Sequence, residues 1–288
     1  MDKLLIEGQQ SLTGSVKISG AKNSVLPMLC ASVMVTDGPV ELENIPHLQD
    51  VTTTTRLLTQ MGVSVTMDEL MHICLDSSTI HTLYAPYELV KTMRSSILVL
   101  GPLLARFGEA KVSLPGGCAI GMRPVDMHLK GLEKMGAIIS VEGGYISAKA
   151  HKLKGANIVF PRKSVTGTEN IIMAATLAKG KTVIKNCACE PEISDLCDFL
   201  IKMGAKISGQ GTNEITVEGV NKLKGTTHKP LPDRIEAGTF MVAAAITKGD
   251  VEIRNIIPPH SKAVMDKLIE SGVEIKVSKN SVRKKMKK

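Results

Sequence analysis

Glycine recurs in this sequence at intervals too regular for a single irregular domain. Four apolar, helix-like runs each end at a glycine and pass into a short β-branched stretch: Thr36-Asp37-Gly38-Pro39-Val40-Glu41-Leu42, Ala105-Arg106-Phe107-Gly108-Glu109-Ala110-Lys111-Val112, Ala178-Lys179-Gly180-Lys181-Thr182-Val183-Ile184 and Thr247-Lys248-Gly249-Asp250-Val251-Glu252-Ile253. These glycines lie 70, 72 and 69 residues apart. A second set, Gly62, Gly136, Gly204 and Gly272, is spaced 74, 68 and 68 residues apart, and each member closes a helix and opens a strand. Glycine is the usual stop there because a helix commonly ends on a residue with left-handed backbone. Two markers in phase define a unit of about seventy residues occurring four times, each reading helix, strand, helix, strand, strand. In the third unit the pattern predicts helices over 167–179 and 192–203, a strand over 182–185, and a strand pair over 205–208 and 214–218. Such units must bury their apolar helix faces against one another, so the expected class is α/β, in closed layered lobes. The polar, proline-bearing stretch His228-Lys229-Pro230-Leu231-Pro232 marks a domain boundary.

Composition removes several function classes. With 43% apolar residues and a mean hydropathy of +0.09 the 288-residue chain can build real cores, but it has no Trp, three Tyr and four Phe. The core must therefore be aliphatic, and few rings remain to stack nucleobases. The net charge of +8 owes five positive charges to Arg283, Lys284, Lys285, Lys287 and Lys288, and elsewhere cations alternate with acids, so no nucleic-acid surface is expected. The longest strongly apolar stretch, 97–105, falls short of the ~20 residues a spanning helix needs, so no membrane role is expected. The opening Met1-Asp2-Lys3 has no signal pattern, which points to the cytoplasm and to six reduced cysteines. Cys187-x-Cys189 with Cys197 lacks paired Cys-x-x-Cys turns and a nearby His, so neither a metal nor another cofactor is expected.

Two stretches carry chemistry. Three Gly and two Pro within 114–124 preclude regular structure around Cys118, while Pro124 and Asp126 suit the start of a helix near Val125. Arg123 and that helix's positive end favour a thiolate, so Cys118 is either a reactive thiol or a surface cysteine in a mobile loop, and chemistry alone leaves both open. The second stretch is Ser19-Gly20-Ala21-Lys22-Asn23-Ser24, at the entry of a helix expected to run to Val35. A lysine and an amide there can neutralise and hydrogen-bond a phosphate or carboxylate, and Arg94 at another helix entry invites the same argument.

These words resemble a known family. Gly20-Ala21-Lys22-Asn23-Ser24, Met93-Arg94-Ser95-Ser96, the run from Leu114 through Cys118 to Asp126, Gly204-Ala205-Lys206-Ile207 and the run from Leu231 to Thr239 closely resemble the UDP-N-acetylglucosamine 1-carboxyvinyltransferase family of enolpyruvyl transferases, in register from about residue 1 to 277. The resemblance implies enolpyruvyl transfer from phosphoenolpyruvate to the 3-hydroxyl of UDP-N-acetylglucosamine, the first committed step of peptidoglycan synthesis. It makes Cys118 the general acid and the target of fosfomycin alkylation. Lys22 and Asn23 would hold phosphoenolpyruvate with Arg123; Arg94, Arg123, Pro124, Val125, Asp126 and Met127, together with Arg162, Lys163, Ser164 and Val165, would line the UDP-sugar. Arg162 stands where the family usually has Lys, and Thr166-Gly167 replaces the usual Gly-Ala. The shikimate-pathway transferases share the reaction type but not the Cys118 loop, and RNA 3′-phosphate cyclases would need a catalytic histidine.

The family's inverse α/β barrel lobes number two, with three units each, and its first strand joins the second lobe. The resemblance thus implies a complete lobe over 21–230 and a partial one made of 1–20 and 231–288, with four of six units present. The expectation is a truncated enzyme lacking roughly 140 residues, about two repeats. The absent units would carry the aspartate that accepts the sugar's proton and further arginines. Impaired turnover, self-association through the orphan last unit, an inactive remnant that at most binds UDP-sugar or a partner, and a Lys-rich end left as a truncation scar follow as expectations.

Overall fold

The computed structural model describes residues 3, 5, 7–90, 93–114 and 125–286. It divides into two compact units, Lys22–Pro230, and Met1–Ala21 with Leu231–Lys288. In chain order the α-helices among the described residues are α1 (Lys22–Ala31), α2 (Gln49–Met61), the single turn α3 (Tyr87–Val90), α4 (Leu100–Phe107), α5 (Asp126–Lys134), α6 (Val165–Thr176), α7 (Pro191–Lys202), α8 (Arg234–Ile246) and α9 (Lys262–Glu270).

Four sheets share one plan: a parallel edge strand, a central strand, then two antiparallel strands. In the larger unit these are, in spatial order, Tyr84–Ala85, Glu109–Ser113, Tyr145–Lys149 and Ile138–Glu142; then Asn157–Val159, Lys181–Lys185, Glu214–Glu218 and Lys206–Ser208; then Thr227–His228, Val40–Leu42, Ile73–Asp76 and Ser64–Met67. The smaller unit repeats the plan with Thr13–Lys17, Asp250–Arg254, Ser281–Met286 and Val273–Val277. The helix, strand, helix, strand, strand reading is thus observed, with helices of the third repeat at 165–176 and 191–202. It omitted the parallel edge strands of the larger unit, which at two or three residues are too short to show a period. Two of them follow a Lys-Leu-Lys-Gly word, at 152–155 and 222–225. Leu153 and Leu223 are buried there, and a Cβ on Gly155 or Gly225 would collide with the backbone of Lys181 or Pro39.

Glycine stops the helices largely as expected. Gly62 ends α2 at φ 103° and donates its N–H to the carbonyls of Leu58 and Thr59. The fourth repeat differs: Lys248 takes the left-handed turn (φ 52°), and Gly249 is needed because a Cβ would meet the Leu12 carbonyl. The first helix also stops earlier than expected. Its α-helical part ends at Ala31, a 3-10 turn covers Ser32–Met34, and Val35 begins a strand. The basic C-terminus is part of a sheet: Ser281–Met286 is a strand paired with both Asp250–Arg254 and Val273–Val277, and Arg283 forms a two-pronged pair with Asp250 at 2.9 and 3.0 Å.

Helices buried on every side must be apolar all round. In α1 every residue from Ser24 to Ala31 is buried, and in α6 every residue from Gly167 to Thr176. α6 packs on α1, α4, α5 and α7. In the smaller unit α8 holds the same place before its central strand but buries only Ala237, Gly238, Met241 and Ala244, leaving Ile235, Val242 and Ile246 at 54%, 48% and 81% exposure.

The larger unit closes on itself where its last strand, Thr227–His228, pairs with Val40–Leu42 near its start. Backbone bonds from Glu41 N to Thr226 O (2.9 Å) and Glu43 N to His228 O (3.0 Å) fix the register. His228 Nε2 meets Asp195 Oδ1 of α7 at 2.8 Å with both side chains buried, and Phe199 sets its ring edge-on to the imidazole. Removing one member of a buried pair leaves a desolvated group behind. We therefore predict that His228→Ala lowers unfolding free energy by about 3 kcal/mol in urea titrations, whereas Thr227→Ala, which loses an exposed bond to Glu41, costs under about 1 kcal/mol.

Candidate functional site

Lys22 and Asn23 open α1, as the sequence leads one to expect, and no acid occupies that first turn. The Lys22 ammonium lies 3.0 Å from Asp50 in the first turn of α2, a partner no local pattern reveals. Asn23 is exposed. Pro27, inside α1, has no N–H to offer the Asn23 carbonyl, so the helix entrance keeps an extra acceptor. Ser24 Oγ is buried beside it with no hydrogen-bond partner among the described residues.

Arg162 and Lys163 are exposed and immediately precede α6. Ser164 caps that helix, its Oγ accepting from Gly167 N at 3.2 Å, and Val165 is the first helical residue. Two cations in front of a capped helix N-terminus form an anion-binding arrangement, since the unpaired N–H groups and the helix dipole add to their charge. Val125 stands at the N-cap of α5, Asp126 lies in its first turn and Met127 is buried. Arg94 heads the 3-10 helix Arg94–Val99. The Arg94 side chain and Cys118, Arg123 and Pro124 lie outside the described residues.

A buried network that the sequence reading missed ties the second and third of these segments together. Asn170 Oδ1 accepts from Gly101 N at 2.8 Å, and Nδ2 donates to the Ile97 carbonyl at 3.0 Å, which fixes the amide's orientation. Nδ2 also faces His128 Nδ1 at 3.0 Å, so that nitrogen must accept and Nε2 must carry the proton toward Thr166 Oγ1 at 3.3 Å. Thr166 therefore has a partner: its hydroxyl links the α6 entrance to α5. No spacing rule connects residues 128 and 170; only the packing of α5 on α6 does.

Below the α6 entrance lies Glu169, 2% exposed, with Oε1 unpartnered. Burial, reinforced by Glu192 and Glu190 at the start of α7, pushes its carboxyl from an ordinary 4.5 up to about 8. Of the cysteines, Cys30, Cys187 and Cys197 are buried, as core residues should be, while Cys74 and Cys189 are partly exposed. Among the described residues no helix is long and apolar enough to cross a membrane.

The raised Glu169 value has a sign. The folded chain holds this proton up to about pH 8, whereas the unfolded chain releases it near 4.5, so the associated stability is fully present below pH 4.5 and is lost as pH climbs to 8. Glu169→Gln keeps the shape and does not titrate. Relative to the parent it should gain on the order of 3 kcal/mol between about pH 5 and about pH 9 in urea titrations; parallel pH profiles for the two proteins contradict this account.

A family model described as EPSP synthase (3-phosphoshikimate 1-carboxyvinyltransferase) matches residues 6–288. A UDP-N-acetylglucosamine 1-carboxyvinyltransferase of Hydrogenovibrio crunogenus is 57% identical over 282 residues, covering 98% of this chain and 67% of the relative. Its namesake in Coxiella burnetii is 56% identical over 283 residues, covering 98% and 65%. The chain thus spans about two thirds of the length of the curated relatives it matches. Among solved structures, the enolpyruvyl transferase NikO from Streptomyces tendae is similar with a TM-score of 0.85 at 20% identity, covering 98% of this chain and 67% of that one. EPSP synthase from Acinetobacter baumannii follows with 0.75 at 23% identity, covering 96% and 65%. These two likenesses concern the fold alone. The family match runs to residue 288, past the expected end near 277.

Proposed function

This chain belongs to the EPSP synthase (3-phosphoshikimate 1-carboxyvinyltransferase) family, and from that premise we propose that its residues serve transfer of the enolpyruvyl group of phosphoenolpyruvate to the 3-hydroxyl of UDP-N-acetylglucosamine, with release of phosphate. The observation that carries this reading is identity at more than half the positions, along nearly the whole chain, with proteins named for that reaction. In the cell the role is the first committed step of peptidoglycan synthesis, in the cytoplasm.

The chemistry assigns work to each segment. Arg162 and Lys163, before the capped α6, receive the diphosphate of the sugar nucleotide, with Ser164, Val165, Arg94, Arg123, Pro124, Val125, Asp126 and Met127 completing its surroundings. Lys22 and Asn23 hold phosphoenolpyruvate, whose phosphate competes with Asp50 for the Lys22 ammonium, and Arg123 opposes the remaining charge. Cys118 delivers a proton to the methylene carbon, which leaves the neighbouring carbon electrophilic for the sugar oxygen. The sugar hydroxyl loses its proton as its oxygen bonds to that carbon; phosphate then leaves, carrying the equivalent of that proton, and a methyl proton returns to the Cys118 sulfur to complete the exchange. The same thiol is the site at which fosfomycin alkylates.

One observation favours a second reading for residues 1–288 taken alone. The apolar stripe of α8 at Ile235, Val242 and Ile246 is exposed, whereas α1 and α6, at the same place in their repeats, are covered on all sides. A face of that kind calls for further helices, and without them the chain binds the sugar nucleotide, self-associates and does not turn over. We expect calorimetry to detect UDP-N-acetylglucosamine binding, and phosphate release from the two substrates to stay at the level of Cys118→Ser. Turnover abolished by Cys118→Ser would establish transferase activity for these residues and remove the second reading. Absence of sugar-nucleotide binding contradicts both.

A further inference from the structure

The first turns of α5 and α6 meet at one hydrogen bond, and the core dictates its direction. Gly101 N fixes the Asn170 amide by donating to Oδ1, so the two protons on Nδ2 go to the Ile97 carbonyl and to His128 Nδ1. The ring proton of His128 then sits on Nε2, 3.3 Å from Thr166 Oγ1. A hydroxyl that accepts from a ring N–H keeps its own proton for a different acceptor, and among the described residues Thr166 Oγ1 has no second partner. The chain of donors runs outward, since Asn170 and His128 are 0% and 3% exposed while Thr166 is half-buried. It ends among other donors. Ser164 serves Gly167 N through its Oγ and Thr168 N through its carbonyl, which leaves the Val165 and Thr166 N–H groups without an acceptor inside the helix. Arg162 and Lys163 precede them. Of the acids nearby, Asp126 pairs with Lys130 at 3.9 Å, and buried Glu169 holds its proton up to about pH 8.

We propose that Thr166 is a further substrate-binding residue, its hydroxyl donating to a phosphoryl oxygen at the α6 entrance, with His128 and Asn170 as the positioning residues that hold it in the donating sense. Under the proposed function, on which this assignment rests, that oxygen belongs to the diphosphate of the sugar nucleotide. Arg162 and Lys163 supply charge from flexible side chains, whereas the Thr166 hydroxyl supplies a donor whose direction is set before the ligand arrives. An anion that takes the Thr166 proton makes its oxygen a better acceptor, so binding strengthens the bond from His128 as well. Valine at this position has nearly the same shape but serves neither the diphosphate nor the His128 ring; serine serves both.

The experiment titrates the full chain with UDP-N-acetylglucosamine and, separately, with pyrophosphate, followed by calorimetry and by nitrogen-15 NMR of the His128 ring, assigned by the signal lost in His128→Gln. Without ligand the ring proton is expected on Nε2; a proton on Nδ1 overturns the proposal. Thr166→Val is expected to weaken UDP-N-acetylglucosamine binding about tenfold, the loss of one hydrogen bond to a charged group, while Thr166→Ser stays within about twofold of the parent. On ligand addition the Nε2 proton signal should move downfield in the parent and in Thr166→Ser, a response that a role confined to packing does not give. Equal affinities of Thr166→Val and the parent, a Thr166→Ser as weak as Thr166→Val, or an Nε2 signal unmoved at saturation overturns the assignment. If Thr166→Val does not fold, the serine variant and the Nε2 signal decide. A chain that binds no UDP-N-acetylglucosamine contradicts the proposed function, and the pyrophosphate titration then decides Thr166 separately: the Nε2 signal moves if the hydroxyl donates to a phosphoryl oxygen and stays if it does not.

Discussion

The pairing of Thr227–His228 with Val40–Leu42 is the constraint on which the larger unit depends. It brings residues nearly two hundred positions apart into one sheet, and so requires the intervening repeats to form first or together with it. The closing strand contributes only two ladder residues, too few to hold by themselves. The buried His228 to Asp195 contact and the packing of Phe199 on the imidazole add side-chain interactions to it. Closure in turn explains the composition of the enclosed helices. α1 and α6 cannot present a polar face, and a polar group they do bury must find a partner, as Asn170 does with Gly101, Ile97 and His128.

The same reasoning separates α8 from its counterparts. Its sequence, Arg-Ile-Glu-Ala-Gly-Thr-Phe-Met-Val-Ala-Ala-Ala-Ile, is as apolar around its circumference as that of α6, yet only one face is covered. Burial is a property of neighbours, and sequence periodicity reports only what a helix could tolerate. For this reason the repeats were legible at the level of element type, through Gly62, Gly136, Gly204 and Gly272, but not at the level of cover. The parallel edge strands of the larger unit escaped because two or three residues show no alternation; the Lys-Leu-Lys-Gly words before two of them are a third repeat marker that could have found those two. The Lys-rich end was not read as a strand because charge dominates its composition; it pairs with a strand on either side.

The candidate site was legible where chemistry is local. Lys22 and Asn23 at one helix entry, and Arg94 at another, stand out because cations at helix N-termini are otherwise unfavourable, whereas Arg162 to Val165 came only through the family resemblance. What was not legible comes from the fold: Asp50 against Lys22, Thr166 and Asn170 against His128, and the acid Glu169 beneath them. Asp50 comes from α2 and His128 from α5, at distances along the chain that no motif encodes, while Glu169 lies in α6 itself. The contacts with Asp50 and His128 tie α1 to α2 and α5 to α6 next to those helix entrances.

Under the proposed function the unit 22–230 holds the sugar nucleotide at the entrances of α5 and α6 and phosphoenolpyruvate at that of α1. The direct test is hydrogen exchange of the full chain, read by mass spectrometry without ligand, with UDP-N-acetylglucosamine and with phosphoenolpyruvate added as well. Exchange should slow around 125–129 and 162–168 with the sugar nucleotide, and around 22–26 once phosphoenolpyruvate is present, with 234–246 unchanged. Protection confined to 234–288, or none at the α5 and α6 entrances at a sugar-nucleotide concentration where binding heat is measured, is the contrary result.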